Sequence, residues 1–111
     1  MNDKHYFDEL NCDITVCDLE GKVIYHNKKA AQTFAAYGEL AGMNLKDCHS
    51  PVSWEKIVQM MQAGNSNAYT IEKKGQKKFI YQTPWYECGE IKGLIEFSFV
   101  VPFEMPHHIR D

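Results

Sequence analysis

Asp18-Leu19-Glu20-Gly21-Lys22-Val23-Ile24-Tyr25-His26-Asn27 carries the reading of the fold. Asp at the head of a four-residue stretch and Gly at its end mark a tight turn. The turn separates Ile14 to Leu19 from Val23 to His26, and both flanks are rich in β-branched or aromatic residues. Together they read as a hairpin. Asn27 follows at once and suits a helix N-cap, because its side-chain oxygen accepts from a free N–H of the first turn. Residues 28–37 then continue as an alanine-rich helix carrying Phe34 and Tyr37, and Gly38 stops it.

Upstream, Lys4 to Asn11 reads as a short helix, with Tyr6, Phe7 and Leu10 on one stripe. Such a helix is marginal alone and must dock on something. Downstream, residues 39–47 read as short helical turns, with Leu40, Met43 and Leu45 as their apolar residues. Ser50-Pro51 is a helix start: Ser caps and Pro takes the first helical position. Trp54, Ile57, Val58 and Met61 make its apolar stripe and Gly64 ends it. From Asn67 onward the pattern alternates. Ala68 to Lys73, Lys78 to Tyr86 and Ile91 to Val101 read as strands, with Gly75 and Gly89 at the reversals. This order predicts an α+β domain: a five-stranded antiparallel sheet with helices packed on one face.

Register decides which side chains those helices cover. Ile91, Ile95, Phe97, Phe99 and Val101 share one face of the last strand and are expected inside. Three-residue loops at both reversals align Phe79 and Tyr81 with Tyr69, Ile71, Phe97 and Phe99, and two-residue loops swap the faces of the middle strand; the three-residue version is expected because it makes one face consistently apolar. Ile80, Tyr86, Leu94 and Val100 then need a separate cover. The N-terminal stripe of Tyr6, Phe7 and Leu10 is one cover and a second copy of the chain is the other. These seven residues are the dimer-interface candidates, and a homodimer is expected.

The 111 residues fit one domain, and 44% hydrophobic with 24% charged residues is a globular rather than a disordered balance. The formal net charge is −3 with scattered lysines, which argues against nucleic acid as a partner. No apolar run is long enough to cross a bilayer and the N-terminus lacks a secretory stretch, so a cytoplasmic location is expected. Cys12, Cys17, Cys48 and Cys88 form no CxxC pair; they read as reduced thiols, and no metal site is expected. There is no nucleophile elbow, phosphate loop or HExxH, and Asp47, Glu55 and Glu72 are scattered. The chain reads as a non-enzyme. Lys73-Lys74 and Lys77-Lys78 around Gly75 read as a solubilised hairpin tip, with contact to an acidic partner as a secondary role.

The segment order, with three motifs in sequence, resembles the PAS family over roughly residues 10–102. The motifs are Asp18 to Asn27, Leu40-Ala41-Gly42-Met43-Asn44-Leu45, and Gly89-Glu90-Ile91-Lys92-Gly93. Cys48-His49-Ser50-Pro51 also resembles a Cys-His-Pro-type segment of one branch. The implied organisation is an N-terminal cap over 1–12, a PAS domain over 13–102 and a tail over 103–111. One departure stands at the end. The family's last strand often runs into an Asp-Ile-Thr-type ending, and here Val101-Pro102-Phe103-Glu104-Met105-Pro106 follows. Its prolines break any continuing helix. A stand-alone module or a fragment of a longer protein is implied.

The resemblance implies sensing by a small molecule held between sheet and helices. The pocket candidates are Val16, Phe34, Met43, Leu45, Ile57, Met61, Tyr81 and Phe97. The same residues serve as a filled core, which makes the first alternative a ligand-free protein–protein interaction module. The second alternative is a haem-based redox or gas sensor using His49. The family's haem histidines usually stand within a helix, whereas His49 precedes one. Flavin photochemistry asks for an Asn-Cys-Arg-type segment, which this sequence lacks. Neither haem nor flavin is favoured and the cofactor stays unnamed. The expected partners are a second copy, a small molecule and a signalling protein.

Overall fold

The computed structural model describes residues 6–35 and 42–111. Asp18 builds the first turn. Its Oδ1 accepts from the backbone N–H groups of Glu20 and Lys22, both at 2.9 Å, and Gly21 N donates to Asp18 O at 3.0 Å. Gly21 sits at φ +88, and a Cβ there would stand 2.9 Å from Asn44 Oδ1 and run into the Trp54 ring. This turn joins β1 (Asp13–Asp18) to β2 (Val23–His26).

Asn27 caps α1 (Lys28–Thr33) and ties three segments together. Its Oδ1 accepts from Ala30 N at 3.0 Å and Ile14 N at 3.1 Å; its Nδ2 donates to Cys12 O at 2.8 Å and Phe7 O at 3.0 Å. The helix stops at Thr33, with Phe34 as its C-cap. It is shorter than the expected 28–37; Tyr37, Gly38, Leu40 and Ala41 lie outside the described residues. Residues 42–45 run along the first hairpin, with Val23 N donating to Met43 O and Leu45 N to Gly21 O, both at 2.8 Å. Asn44 then caps the single turn α2 (Leu45–Cys48). Ser50 caps α3 (Pro51–Ala63), and Gly64 closes it in the left-handed region at φ +74.

Three strands complete the sheet: β3 (Asn67–Lys73), β4 (Gln76–Glu87) and β5 (Glu90–Val101). The order is β2-β1-β5-β4-β3, and every neighbouring pair is antiparallel. Helix α3 buries Ile57, Met60 and Met61 against Cys17 and Leu94, with Leu45, Trp54 and Ile91 around them. A second cluster sets Val23 and Ala30 among Phe34, Met43 and Leu45.

Register is where the structure departs from expectation. Both reversals are two-residue turns, Lys74-Gly75 and Cys88-Gly89, with φ of 52 and 76 in the first and 53 and 82 in the second. Both central residues left-handed is the primed turn that matches strand twist. The β3–β4 ladder is therefore regular, and Tyr69 and Ile71 oppose Ile80 and Lys78 rather than Tyr81 and Phe79. In β4–β5 a bulge between Trp85 and Tyr86 adds one residue. A two-residue turn plus that bulge has the parity of a three-residue loop, so Phe79 pairs with Phe99 and Tyr81 with Phe97, as expected.

Directly opposed residues share a face. The Leu94–Cys17 pair lies under α3, so alternate residues from Leu94 onward face the helices. The face carrying Val16, Ile95, Tyr81, Phe97, Phe79 and Phe99 is turned away from them. From Leu94 and Pro84 onward the expected inside and outside of the last two strands are thus exchanged, while Ile91, before the bulge, is on the helix side as expected.

Of the expected N-terminal helix, Lys4 and His5 lie outside the described residues, and the rest is not helical. Residues 6–9 form turns, because the carbonyls that would close a helix are bonded elsewhere. Phe7 O accepts from Asn27 Nδ2 and Asp8 O accepts from Lys28 N at 2.9 Å. The Asp8 carboxylate also accepts from the Tyr25 hydroxyl. Tyr25 opposes Val16, which places this segment beside the face away from the helices.

Candidate functional site

The helix-facing side of the sheet begins apolar and becomes polar. Beyond Cys17, Leu94 and Pro84, the next row across four strands is Thr15, Glu96, Gln82 and Asn67. The row after it is Asp13, Ser98, Ile80 and Tyr69. Gln82, 6% exposed, donates from Nε2 to Glu96 Oε2 at 2.7 Å. Its Oε1 accepts from Asn67 Nδ2 at 3.3 Å.

Burial pushes the Glu96 carboxyl up, and the charge of Asp13 adds to it; the Gln82 hydrogen bond and nearby His49 pull the other way. Tyr69 is pushed up by burial and by Glu96. His49 stands between α2 and α3 with Nδ1 2.8 Å from Leu45 O. A carbonyl only accepts, so Nδ1 carries the proton and Nε2 is left for other partners.

Asp13, 7% exposed, anchors the far end. Burial raises its carboxyl, against a hydrogen bond from Thr33 and the charges of Lys78 and Lys29. Around it lies a pocket of about 390 Å³ between α1 and the sheet, whose walls include Asp13, Lys29, Thr33, Lys78, Ser98 and Val100. A second, more open cleft of about 590 Å³ separates α3 from the β4–β5 turn, against Val58, Met61, Tyr86 and Ile91. Among the described residues no group of three or more His, Cys, Asp or Glu side chains is placed to hold a metal ion, and no helix is long and apolar enough to cross a membrane.

The pocket candidates read from the sequence divide between the two faces. Phe34, Met43, Leu45, Ile57 and Met61 lie on the helix side and pack in the two core clusters. Val16, Tyr81 and Phe97 are on the opposite face and cannot line the same cavity. Among the interface candidates, Ile80 and Leu94 are buried on the helix side and so cannot meet a partner. Val100 shares their face but is exposed; Tyr6, Phe7, Leu10 and Tyr86 are exposed as well. Thr15, Gln82, Glu96 and Asp13 were not among the candidates. A polar residue alternating with apolar ones in a strand reads as solvent-facing, and pattern alone gives no sign that helices cover it.

No family model matches this sequence, and no curated protein matches it either. Solved structures do match the fold. A C-terminal domain from Streptococcus mutans is 15% identical, with TM-score 0.68 over 85% of this chain and 78% of that one. The PAS domain of the histidine kinase ThkA is 21% identical, with TM-score 0.63 over 81% of this chain and 99% of that one. The fold is that of a PAS domain. A PAS domain of a protein from Colwellia psychrerythraea agrees, at 20% identity and TM-score 0.62 over 86% of this chain and 90% of that one. Within the PAS fold the polar rows lie between sheet and helices, and the aromatic face lies outside.

Proposed function

We propose that this chain is a PAS-type sensory module. Its input is a small polar molecule held against the helix-facing side of the sheet. Its output is a partner on the opposite face. The observation that carries the reading is the Thr15–Glu96–Gln82–Asn67 row. Polar groups taken out of water are costly unless bonded, and a domain that needs only a core places apolar side chains there. A carboxylate offers about four acceptor positions, and among the described residues Gln82 is the side chain that bonds Glu96. The remaining capacity suits a ligand. Such a ligand signals only by binding one conformation better than another.

The interaction reading draws on a separate observation. Phe79, Tyr81, Phe97 and Phe99 form a half-buried stacked layer on the outer face, with neighbouring centroids 5.9 to 6.3 Å apart. A layer of that kind suits a second copy or a signalling protein. Native mass spectrometry of the protein as purified tests both parts. A bound mass released on denaturation supports sensing, and a dimer supports the interface. An unliganded protein whose melting temperature no polar metabolite shifts sinks the sensory reading.

A further inference from the structure

We infer that the pocket between α1 and the far end of the helix-facing sheet binds a small carboxylate that also carries a hydrogen-bond donor, that is, a hydroxy acid or an amino acid. The inference rests on the sensory reading and names its ligand class.

The lining charges carry it. Lys29 of α1 and Lys78 of β4 are half-buried, and both line the pocket. Among the described residues the one ion pair joins Lys92 to Glu90 at 3.3 Å, and neither Lys29 nor Lys78 takes part in one. Both lysines act on the Asp13 carboxyl, so two cations face one anion at this concave site, and the surplus positive charge favours a bound carboxylate through charge-assisted hydrogen bonds. Asp13 sits in the same pocket, nearly inaccessible to solvent. An ionised carboxylate only accepts hydrogen bonds, so it selects a ligand that donates a hydroxyl or an ammonium. It also disfavours a polyanion such as phosphate, which would set like charges side by side. Ser98 supplies a hydroxyl for either role, the Thr33 hydroxyl, already donating to Asp13, can still accept, and Val100 supplies apolar wall for a short carbon skeleton. The volume, about 390 Å³, falls among small-molecule pockets.

The test is a titration of ¹⁵N-labelled protein with lactate, serine, lactamide and inorganic phosphate. Lactate or serine is expected to shift the amide resonances of Asp13, Lys29, Thr33 and Ser98 saturably at millimolar concentrations, and lactamide is expected not to. Lys29→Met and Lys78→Met should each weaken that binding about tenfold while the rest of the spectrum is unchanged. Three results overturn the inference: lactamide or phosphate binding as well as lactate, affinity unaffected in both lysine variants, or no saturable shift with lactate or serine. Shifts confined to Gln82 and Glu96 also remove this site but leave the sensory reading standing. Failure of the sensory reading itself is read separately, in the native mass spectrum and the metabolite melting screen.

Discussion

Gln82 donates its side-chain amide to Glu96 Oε2 at 2.7 Å across the β4–β5 pair, on the side of the sheet that the helices cover. The Gln82 carbonyl accepts from Asn67, so the bonds run outward from Glu96 to β3. A single donated bond favours the charged carboxylate, but desolvation outweighs it and the carboxyl is raised.

The raised Glu96 carboxyl makes stability depend on pH. Glu96 holds its proton more tightly folded than unfolded, so the folded state binds more protons in the window above the ordinary value of 4.5. The stabilisation from that proton is present below this value and is lost as pH rises through the folded titration. Glu96→Gln removes the dependence and keeps a hydrogen-bond partner for Gln82. The melting temperature of the parent should fall over this window more than that of the variant. At neutral pH the variant should be at least as stable. A variant that melts lower at neutral pH would mean that the ionised carboxylate is compensated by groups other than Gln82.

Asn27 is 1% exposed and uses both its acceptor and its donor capacity. Asn27→Ala loses the α1 cap and leaves the Ile14 N–H and the Cys12 carbonyl short of a partner. The cap alone is worth about 1 kcal/mol and each stranded buried group about 1–3 kcal/mol, so a loss of about 3 kcal/mol or more is expected in urea unfolding. Asn27→Asp keeps the acceptor and loses the donor, and should fall between variant and parent. A loss under about 1 kcal/mol for Asn27→Ala would show that water replaces these bonds.

How much of this was legible follows from what each residue's signal depends on. The Asp18 turn and the caps at Asn27, Ser50 and Gly64 are made within a few residues, so the first hairpin and the helix boundaries at 27, 50 and 64 follow from local chemistry. The face exchange does not. Lys-Gly and Cys-Gly are weak turn signals beside Asn-Gly, and the bulge at Trp85/Tyr86 has no local signature. Which face the helices cover is decided by Cys17 and Leu94 meeting Ile57 and Met61, contacts made across long stretches of chain. The polar rows were hidden for that reason. The N-terminal stripe misled differently: helical spacing was present, but the Phe7 and Asp8 carbonyls had better donors in Asn27 and Lys28.

Gly93 is required by close approach rather than by turn geometry. A Cβ there would overlap the Cys17 carbonyl and stand 2.7 Å from Trp85 Nε1. Trp85 Nε1 donates to that same carbonyl at 2.9 Å, across β5. Gly93→Ala should therefore break this bond, push β1 from β5 and lower the soluble yield sharply, with a changed Trp fluorescence maximum. Gly89→Asn is the control, because its φ of +82 belongs to a turn and a Cβ meets nothing within 4 Å. Equal stability of Gly93→Ala and parent would mean that the strands separate at little cost.

The aromatic face is the remaining test. Phe79, Tyr81, Phe97 and Phe99 form one stacked layer on the face turned away from α1 and α3. A stable pair of copies needs about 800 Å² from each partner, with aromatic anchors at its centre. Phe97 opposes Ile14, which is 1% exposed, so changing Phe97 endangers folding as well as association. Phe79 and Phe99 lie farther along, toward the hairpin tip, and are the better probes. Phe79→Lys and Phe99→Lys bring like charges to a self-complementary surface. Each should weaken self-association about 10²-fold in sedimentation equilibrium, with little change in melting temperature. Tyr69→Ser lies on the other face and should leave association unchanged. A dimer indifferent to both lysine substitutions would place the interface elsewhere, with exposed Tyr86 and Val100 the next to change. A parent monomeric at every concentration would leave this layer to a different protein.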